Sequence, residues 1–414
     1  MLCTGARILL ESLKREGVDL FFGYPGGAVI DIYDELANHP DLRHILVRHE
    51  QGAVHAADGY ARASGKVGVC LATSGPGATN TVTGIATAYS DSIPLVIFTG
   101  QVSTPLIGND AFQEVDIVGI TRPCTKHNFL VKDVRELAAT VRKAFYLARS
   151  GRPGPVLVDI PKNIQQATCE FEWPSEVTMR TYCPTFRANL NQLRRAMDVL
   201  LTSRKPLIVA GGGVIMADAA EELTTLAHLM HAPVCSTLMG LGAFPGDDPL
   251  WIGMLGMHGT YAANKSVNQA DVILAVGARF DDRVTGKLSE FAPNARIVHI
   301  DIDPTTLRKN VRVEVPVVSD ALSALQGLRS ILESGHAEKD WAGDHADWMT
   351  QVQEWQKKQP LSWSKGEVLK PQQVVERLYE LTKGEAIITT EVGQNQMWAA
   401  QFYKYHKPRT YLTS

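Results

Sequence analysis

Glu50 is the residue of this sequence best placed to exchange a proton with a bound molecule. Ile45, Leu46 and Val47 form a short apolar run suited to a buried strand. Ala53, Ala56, Ala57, Tyr60 and Ala61 then recur at helical spacing. Glu50 therefore falls just past the carboxyl end of a strand, the edge where open α/β sheets bind ligands. It is either a ligand-facing acid or an acid favoured by the helix dipole. A second candidate is the run 73–80, TSGPGATN, a Gly-rich strand-to-helix turn whose amides suit an anion. It is neither a Walker A loop nor a GxGxxG fingerprint. The turn Tyr24-Pro25-Gly26-Gly27 brings backbone close to a neighbour or a ligand. Three glycines, Gly211, Gly212 and Gly213, follow another strand and allow a ligand's phosphate to approach. Arg279, Asp281, Asp282 and Arg283 crowd the end of the strand at 271–276, after Gly277 and Ala278. Strand, glycine and arginine in that order can meet a pyrophosphate, and a solvated loop is the plainer alternative. Asp301, Ile302 and Asp303 close a further strand, where an acid can take ribose hydroxyls.

The elements that must position these groups alternate regularly. Helix 6–15, strand 19–22, helix 29–36, the strand before Glu50, strand 67–72, helix 81–88, strand 94–99, helix 133–150 and strand 155–160 predict a parallel sheet with helices on both faces. Residues 103–128 lack periodicity and carry Gln113 and Lys126, so they read as a functional segment or a surface loop. A linker follows, and then a second α/β series with strands at 206–210, 232–235, 271–276, 296–302 and 315–318. The glycine- and methionine-rich run 253–259 reads by itself as core filler. Trp341, Trp348 and Trp355 recur every seven residues in a polar connection, as one helical face packed on the body would. A third α/β series begins near residue 371 with too few strands for a sheet, so the sequence reads as a fragment cut within its third domain.

Composition excludes several classes. A net charge of −3 and the absence of a basic run with interleaved aromatics argue against nucleic acid. The six cysteines are scattered, without a CxxC pair or zinc-site spacing, and read as reduced thiols of a cytoplasmic protein. No apolar run is long enough for a bilayer, and the first residues do not form a signal peptide.

The motifs FGYPGGA, VRHEQGA, SGPGATN, DSIPLV, FQE, GRPGPVLVDIPK, GMLGMHG, GARFDDRVTGK, HIDIDP and VGQNQMWAAQ follow in order along the chain. Together they resemble the catalytic subunits of the acetohydroxyacid synthase (acetolactate synthase) family, which use thiamine diphosphate. The resemblance implies an α/β fold with a pyrimidine-binding domain at 1–164 and a linker at 165–186. A central FAD-binding domain at 187–333, a linker at 334–368 and the start of a diphosphate-binding domain at 369–414 would follow. It implies decarboxylation of pyruvate and joining of the two-carbon unit to pyruvate or 2-ketobutyrate, in branched-chain amino-acid synthesis. A non-catalytic FAD-binding module and a related pyruvate oxidase or carboligase are the alternatives.

By the same resemblance, Glu50 is the catalytic acid that exchanges a proton with the cofactor's pyrimidine, a task suited to a carboxyl group sheltered from water. Gly27 lies near the cofactor's reactive end, Gln113 beside the substrate, and Lys126 at the mouth of the substrate channel. Pro76, Asn80, Val392, Gly393, Gln394 and Asn395 hold thiamine diphosphate. Glu391 and Asn395 stand where many members have Asp and His. FAD, structural rather than redox-active, is met by Arg152, by Gly211, Gly212 and Gly213, and by Leu255, Gly256, Met257 and His258. Gly277, Ala278, Arg279, Asp281, Arg283, Asp301, Ile302 and Asp303 complete its site. No Mg²⁺ ligand is expected within the chain, because the Gly-Asp-Gly…Asn motif would lie after Ser414. A homodimer or homotetramer with an inter-subunit site, a small regulatory subunit, and no membrane or nucleic-acid partner are implied, in a bacterial cytoplasm.

Overall fold

A computed structural model describes residues 2–414, in two compact units, 1–183 and 184–414. In the first unit, α1 (Gly5–Arg15) leads to β1 (Leu20–Gly23) and β2 (Arg43–Leu46). Next come α2 (Glu50–Ser64), β3 (Gly68–Ala72), the single turn α3 (Pro76–Thr79) and α4 (Val82–Asp91). The series ends with β4 (Leu95–Gln101), β5 (His127–Leu130), α5 (Leu137–Arg149) and β6 (Pro155–Pro161). All six strands are parallel, in the spatial order β2-β1-β3-β4-β6-β5. β4 and β6 are buried along their whole length, as the central strands of a sheet covered on both faces must be. Their apolar runs made them visible in the sequence. The edge strand β5 is only half-buried, and its first half falls inside the stretch that lacked periodicity.

The start of α2 is set locally. His49 is extended and its Nδ1 accepts from the Gln51 amide at 3.1 Å. Gly65, at φ +73°, closes the helix. Ala53, Ala57 and Ala61 face the core, so Glu50 enters the protein in the first turn of a packed helix.

The second unit holds β7 (Pro206–Ala210), β8 (Val234–Ser236), β9 (Trp251–Met254), β10 (Val272–Val276), β11 (Arg296–Asp301) and β12 (Val315–Val318). They form a parallel sheet in the order β9-β8-β7-β10-β11-β12. The stretch expected as a linker at 334–368 instead carries a long packed helix, α6 (Trp341–Lys358). Trp341 and Trp348 are buried in it, and Trp348 meets Trp355 edge-on at 5.6 Å. The Trp348 ring nitrogen donates to the Pro206 carbonyl at 2.8 Å, tying α6 to the start of β7. Residues 165–186 are also structured in part. Thr168–Glu170 pairs antiparallel with Leu2–Thr4, and Phe171, Trp173 and Tyr182 pack on the first core.

Residues 369–414 belong to the second compact unit. They form α7 (Pro371–Thr382), β13 (Ile388–Thr389), α8 (Gln394–Phe402) and β14 (Tyr411–Leu412). Ala399, Tyr403, Tyr405 and Tyr411 share a buried cluster with Leu241 and Met254, so this short series borrows a core from its neighbour.

Trp348 is 2% exposed and loses both a ring contact and a hydrogen bond on truncation. Trp348→Ala is expected to cost the second unit about 3–5 kcal/mol of unfolding free energy. Denaturant unfolding followed by circular dichroism measures this, and an unchanged midpoint would contradict the packing described.

Candidate active site

In the first sheet the chain moves from β1 to β2 on one side and returns to β3 on the other. The crevice at such a reversal, at the carboxyl ends of the strands, is where open α/β sheets bind ligands. Three turns meet there, carrying Tyr24–Gly27 after β1, Glu50 after β2, and Thr73–Asn80 after β3. They fit closely. The Ala28 amide donates to Thr73 Oγ1 at 3.2 Å. A Cβ on Gly26 would lie 2.5 Å from Thr73 Cγ2, and one on Gly77 would lie 2.6 Å from the same methyl. Any side chain at either position would wedge the turns apart.

Glu50 lies between them, 8% exposed. Asn80 Nδ2 donates to its Oε2 at 3.0 Å. Its Oε1 faces Gly77, where a Cβ would come within 3.3 Å. Among the described residues no lysine, arginine or histidine forms an ion pair with this carboxyl group. A buried carboxyl group held by one amide, with its second oxygen beside a glycine, is suited to hydrogen-bond a ligand.

Gln113 is brought to the same edge. It is exposed, at φ +58°, and rests on the Gly75 turn, where a Cβ would lie 2.7 Å from the Gln113 carbonyl. Gly27 faces open space, and its carbonyl accepts from Lys162 Nζ at 3.0 Å.

Lys126 is not part of this edge. Its amide donates to Pro155 at the amino end of β6, the opposite side of the parallel sheet from Glu50. Its Nζ donates to the carbonyls of Leu147 and Ser150 and to the Tyr182 hydroxyl, so it closes the carboxyl end of α5. The expectation that it guards a substrate channel is corrected. Lys162, directly after β6, is the cation at the right edge. The rule that located Glu50, a polar residue following a buried strand, locates Lys162 as well. Arg152 also precedes β6, and its Nε donates to Ser92 Oγ at 2.7 Å, away from the Glu50 edge.

The second unit repeats the arrangement. Its reversal lies between β7 and β10. Gly211 and Gly213 follow β7, and Gly277 follows β10 at φ +60°. A Cβ on Gly211 would lie 2.0 Å from the Gly277 carbonyl, and one on Gly213 2.7 Å from Gly277 Cα. Close approach is therefore needed by the two loops for each other. Gly212 faces Met239 at 3.2 Å. The run Leu255, Gly256, Met257 and His258 joins them, because the Met257 amide donates to the Arg283 carbonyl at 2.9 Å. Asp281 caps the short helix Asp282–Thr285 by accepting from the Arg283 and Val284 amides. Ala278 and Phe280 are buried, Arg279 is half-buried and Arg283 is exposed. Asp301 accepts from the Asp303 amide at 2.8 Å, Asp303 accepts from Thr305, and Ile302 is half-buried between them. All four stretches thus share one edge of the second sheet.

His299, unremarked in the sequence, supports that edge from below. Its Nε2 donates to the Ala278 carbonyl at 2.7 Å and its ring meets Phe280 edge-on. Burial pushes it down to about 4, so the ring is neutral at physiological pH. Val392 and Gly393 lie between β13 and α8, and Gln394 and Asn395 open α8, with Asn395 Oδ1 accepting from the Gln396 amide at 2.8 Å. Among the described residues no group of three or more His, Cys, Asp and Glu could hold a metal ion. Among the described residues no helix is long and apolar enough to cross a membrane.

Residues 3–120 match the thiamine pyrophosphate enzyme N-terminal TPP-binding domain, and residues 193–328 the thiamine pyrophosphate enzyme central domain. The chain is 50% identical to the acetolactate synthase isozyme 3 large subunit of Escherichia coli, over 99% of its own length and 72% of that protein. It belongs to the acetolactate synthase large-subunit family. The likeness extends to the probable acetolactate synthase large subunit of Methanocaldococcus jannaschii, 49% identical over 99% of this chain and 70% of that one. The acetolactate synthase of Mycobacterium bovis is also 49% identical, over 99% and 66%. Acetolactate synthesis with thiamine diphosphate, a transfer of a two-carbon unit in branched-chain amino-acid biosynthesis, is the function of this chain. The TPP-binding match of this chain spans Glu50, Asn80 and Gln113 and ends before Lys126 and Arg152.

The depressed His299 gives a signed test. Its unfolded form takes up a proton near 6.5 and its folded form only near 4, so its contribution to stability is complete above 6.5 and is lost as pH falls toward 4. His299→Gln should flatten the fall in unfolding midpoint between those limits. Equal slopes in both proteins would contradict a buried neutral ring.

Proposed function

We propose that the first unit's carboxyl edge is the pyrimidine half of the active site, with Glu50 as the proton-exchanging acid. The observation that carries this reading is the buried Glu50 carboxyl group, held on one oxygen by Asn80 and left beside a glycine on the other. Those residues fit an aminopyrimidine, which offers a ring nitrogen to a carboxyl group. Bound there, thiamine diphosphate would supply a carbon nucleophile for the ketone of pyruvate. Glu50 would exchange a proton with the pyrimidine through Oε1, while Asn80 holds Oε2. Pro76 opens the turn below it, and Gly27 leaves the cofactor's reactive end unobstructed. Gln113 orients the keto acid, pyruvate or 2-ketobutyrate, from the Gly75 side. Lys162 adds a positive charge that attracts these anions.

The second unit's edge is proposed as an FAD site. Backbone turns and Asp301 would meet the flavin nucleotide, and Arg279 and Arg283 its pyrophosphate. Val392, Gly393, Gln394 and Asn395 would meet the diphosphate of thiamine. The described residues do not by themselves fit a Mg²⁺ site. The three-domain division at 1–164, 187–333 and 369–414, assembly as a homodimer or homotetramer and a cytoplasmic location complete the proposal. The Escherichia coli relative is named a large subunit, which supports a small regulatory partner.

Glu50→Gln keeps the Asn80 contact and removes the exchangeable acid. Acetolactate formation from pyruvate should fall by at least about 100-fold, the scale of one acid–base group. Circular dichroism and thiamine diphosphate binding, read by tryptophan fluorescence, should show that the fold persists. An unchanged rate would overturn the role of Glu50.

A further inference from the structure

Asp159 is a buried carboxyl group that the reaction above does not use. It lies in β6, 2% exposed, in register with Thr99 of β4. Oδ1 accepts from the Thr99 hydroxyl at 2.6 Å and Oδ2 from Gln101 Nε2 at 3.0 Å. Gln101 closes β4 and is itself 4% exposed. Its amide is fully used. Nε2 gives its second hydrogen to the Val115 carbonyl at 2.9 Å, and Oε1 accepts from the Val102 amide at 2.9 Å. An amide flip would set Oε1 against both the Asp159 carboxyl group and a carbonyl, so Asp159, together with the Val115 carbonyl and the Val102 amide, sets which way Gln101 points. Burial pushes Asp159 up to about 7, and in either protonation state Oδ2 remains an acceptor.

Val115 is the foot of the irregular segment 102–116. At its start, the Thr104 amide donates to Asn163 Oδ1, and Asn163 Nδ2 donates back to the Thr104 hydroxyl, both at 2.9 Å. Within it, the Glu114 carboxyl group accepts from the Gly108 and Ala111 amides. The segment is therefore a self-tied loop on two anchors, an Ω-loop in form. Gln113 stands two residues before the Val115 anchor and presses on the Gly75 turn.

We propose that Asp159 is a positioning residue for the keto-acid side of the site, holding Gln101 so that Gln101 fixes the 102–116 loop and the place of Gln113. The proposal rests on the reading of Gln113 as a substrate-side residue. It implies that the keto acid and thiamine diphosphate answer to different supports, since Glu50 is held by Asn80 and the Gly26–Ala28 turn by Thr73.

The test compares Asp159→Leu, Asp159→Asn and Gln113→Ala in the holoenzyme, measuring KM for pyruvate, kcat, thiamine diphosphate affinity and amide hydrogen exchange. Asp159→Leu is expected to raise KM at least tenfold and to speed exchange across 102–116 at least tenfold. The kcat and thiamine diphosphate affinity should stay within threefold. Asp159→Asn keeps an acceptor for Gln101 and should restore both quantities. Should Asp159→Leu not fold, Gln101→Met removes the same bridge from its other end. A raised KM in Gln113→Ala with no change in KM or loop exchange in Asp159→Leu overturns the proposal alone. An unchanged KM in Gln113→Ala overturns the reading of Gln113 and the proposal with it. A loss of kcat and of cofactor affinity alongside KM in Asp159→Leu reduces Asp159 to a general structural residue.

Discussion

The first unit depends on keeping one carboxyl group, that of Glu50, out of water without an ion pair. Burying such a group is costly unless polar partners replace the solvent. Asn80 supplies one hydrogen bond, and the rest of the shelter comes from backbone turns brought together by the topology of the sheet. That closeness is a steric condition. Gly26 and Gly77 both abut the Thr73 methyl, so the pocket around Glu50 exists only while those positions lack side chains. The sheet reversal gives the turns a common edge, and the glycines let them use it.

The second sheet meets the same condition with a different outcome. Its reversal also joins two glycine-bearing turns, yet Gly211 and Gly213 are in contact with Gly277. The surface offered to a ligand is the outside of a pre-packed backbone, held by Asp281 at the short helix, by the Met257–Arg283 hydrogen bond and by His299 from below. A neutral histidine suits that place, because a charged ring buried beside Phe280 would have only a carbonyl and a distant carboxylate to answer it. Glycine in such turns thus reports backbone approach, and the neighbour can be protein as readily as phosphate.

Much of this was legible in the residues. The uninterrupted apolar runs of β4, β6, β7 and β10 announced buried parallel strands. The alanine spacing after Glu50 announced a packed helix, and the seven-residue tryptophan repeat announced α6. Less visible were the half-buried edge strand β5 and the strand β9, whose Gly253 at φ +97° breaks the expected pattern. Lys126 was misread because a resemblance gives a residue's place in a motif without the edge of the sheet it occupies. One strand length of backbone separates Lys126 at the start of β5 and β6 from Lys162 at the end of β6.

By itself the sequence determined the α/β class, the order of the elements and the presence of Glu50 at a strand end, because burial and helix periodicity are written in neighbouring residues. Ten ordered motifs also determined the family. Tertiary structure alone decided which groups share a site. Glu50 and Asn80 are thirty residues apart, as Oε2 and Nδ2 are not. Gln113 reaches Gly75 through an anchor on Gln101 and Asp159, and Gly211 meets Gly277 across two strands. Such contacts follow from strand order and loop path, which no local pattern of residue types encodes.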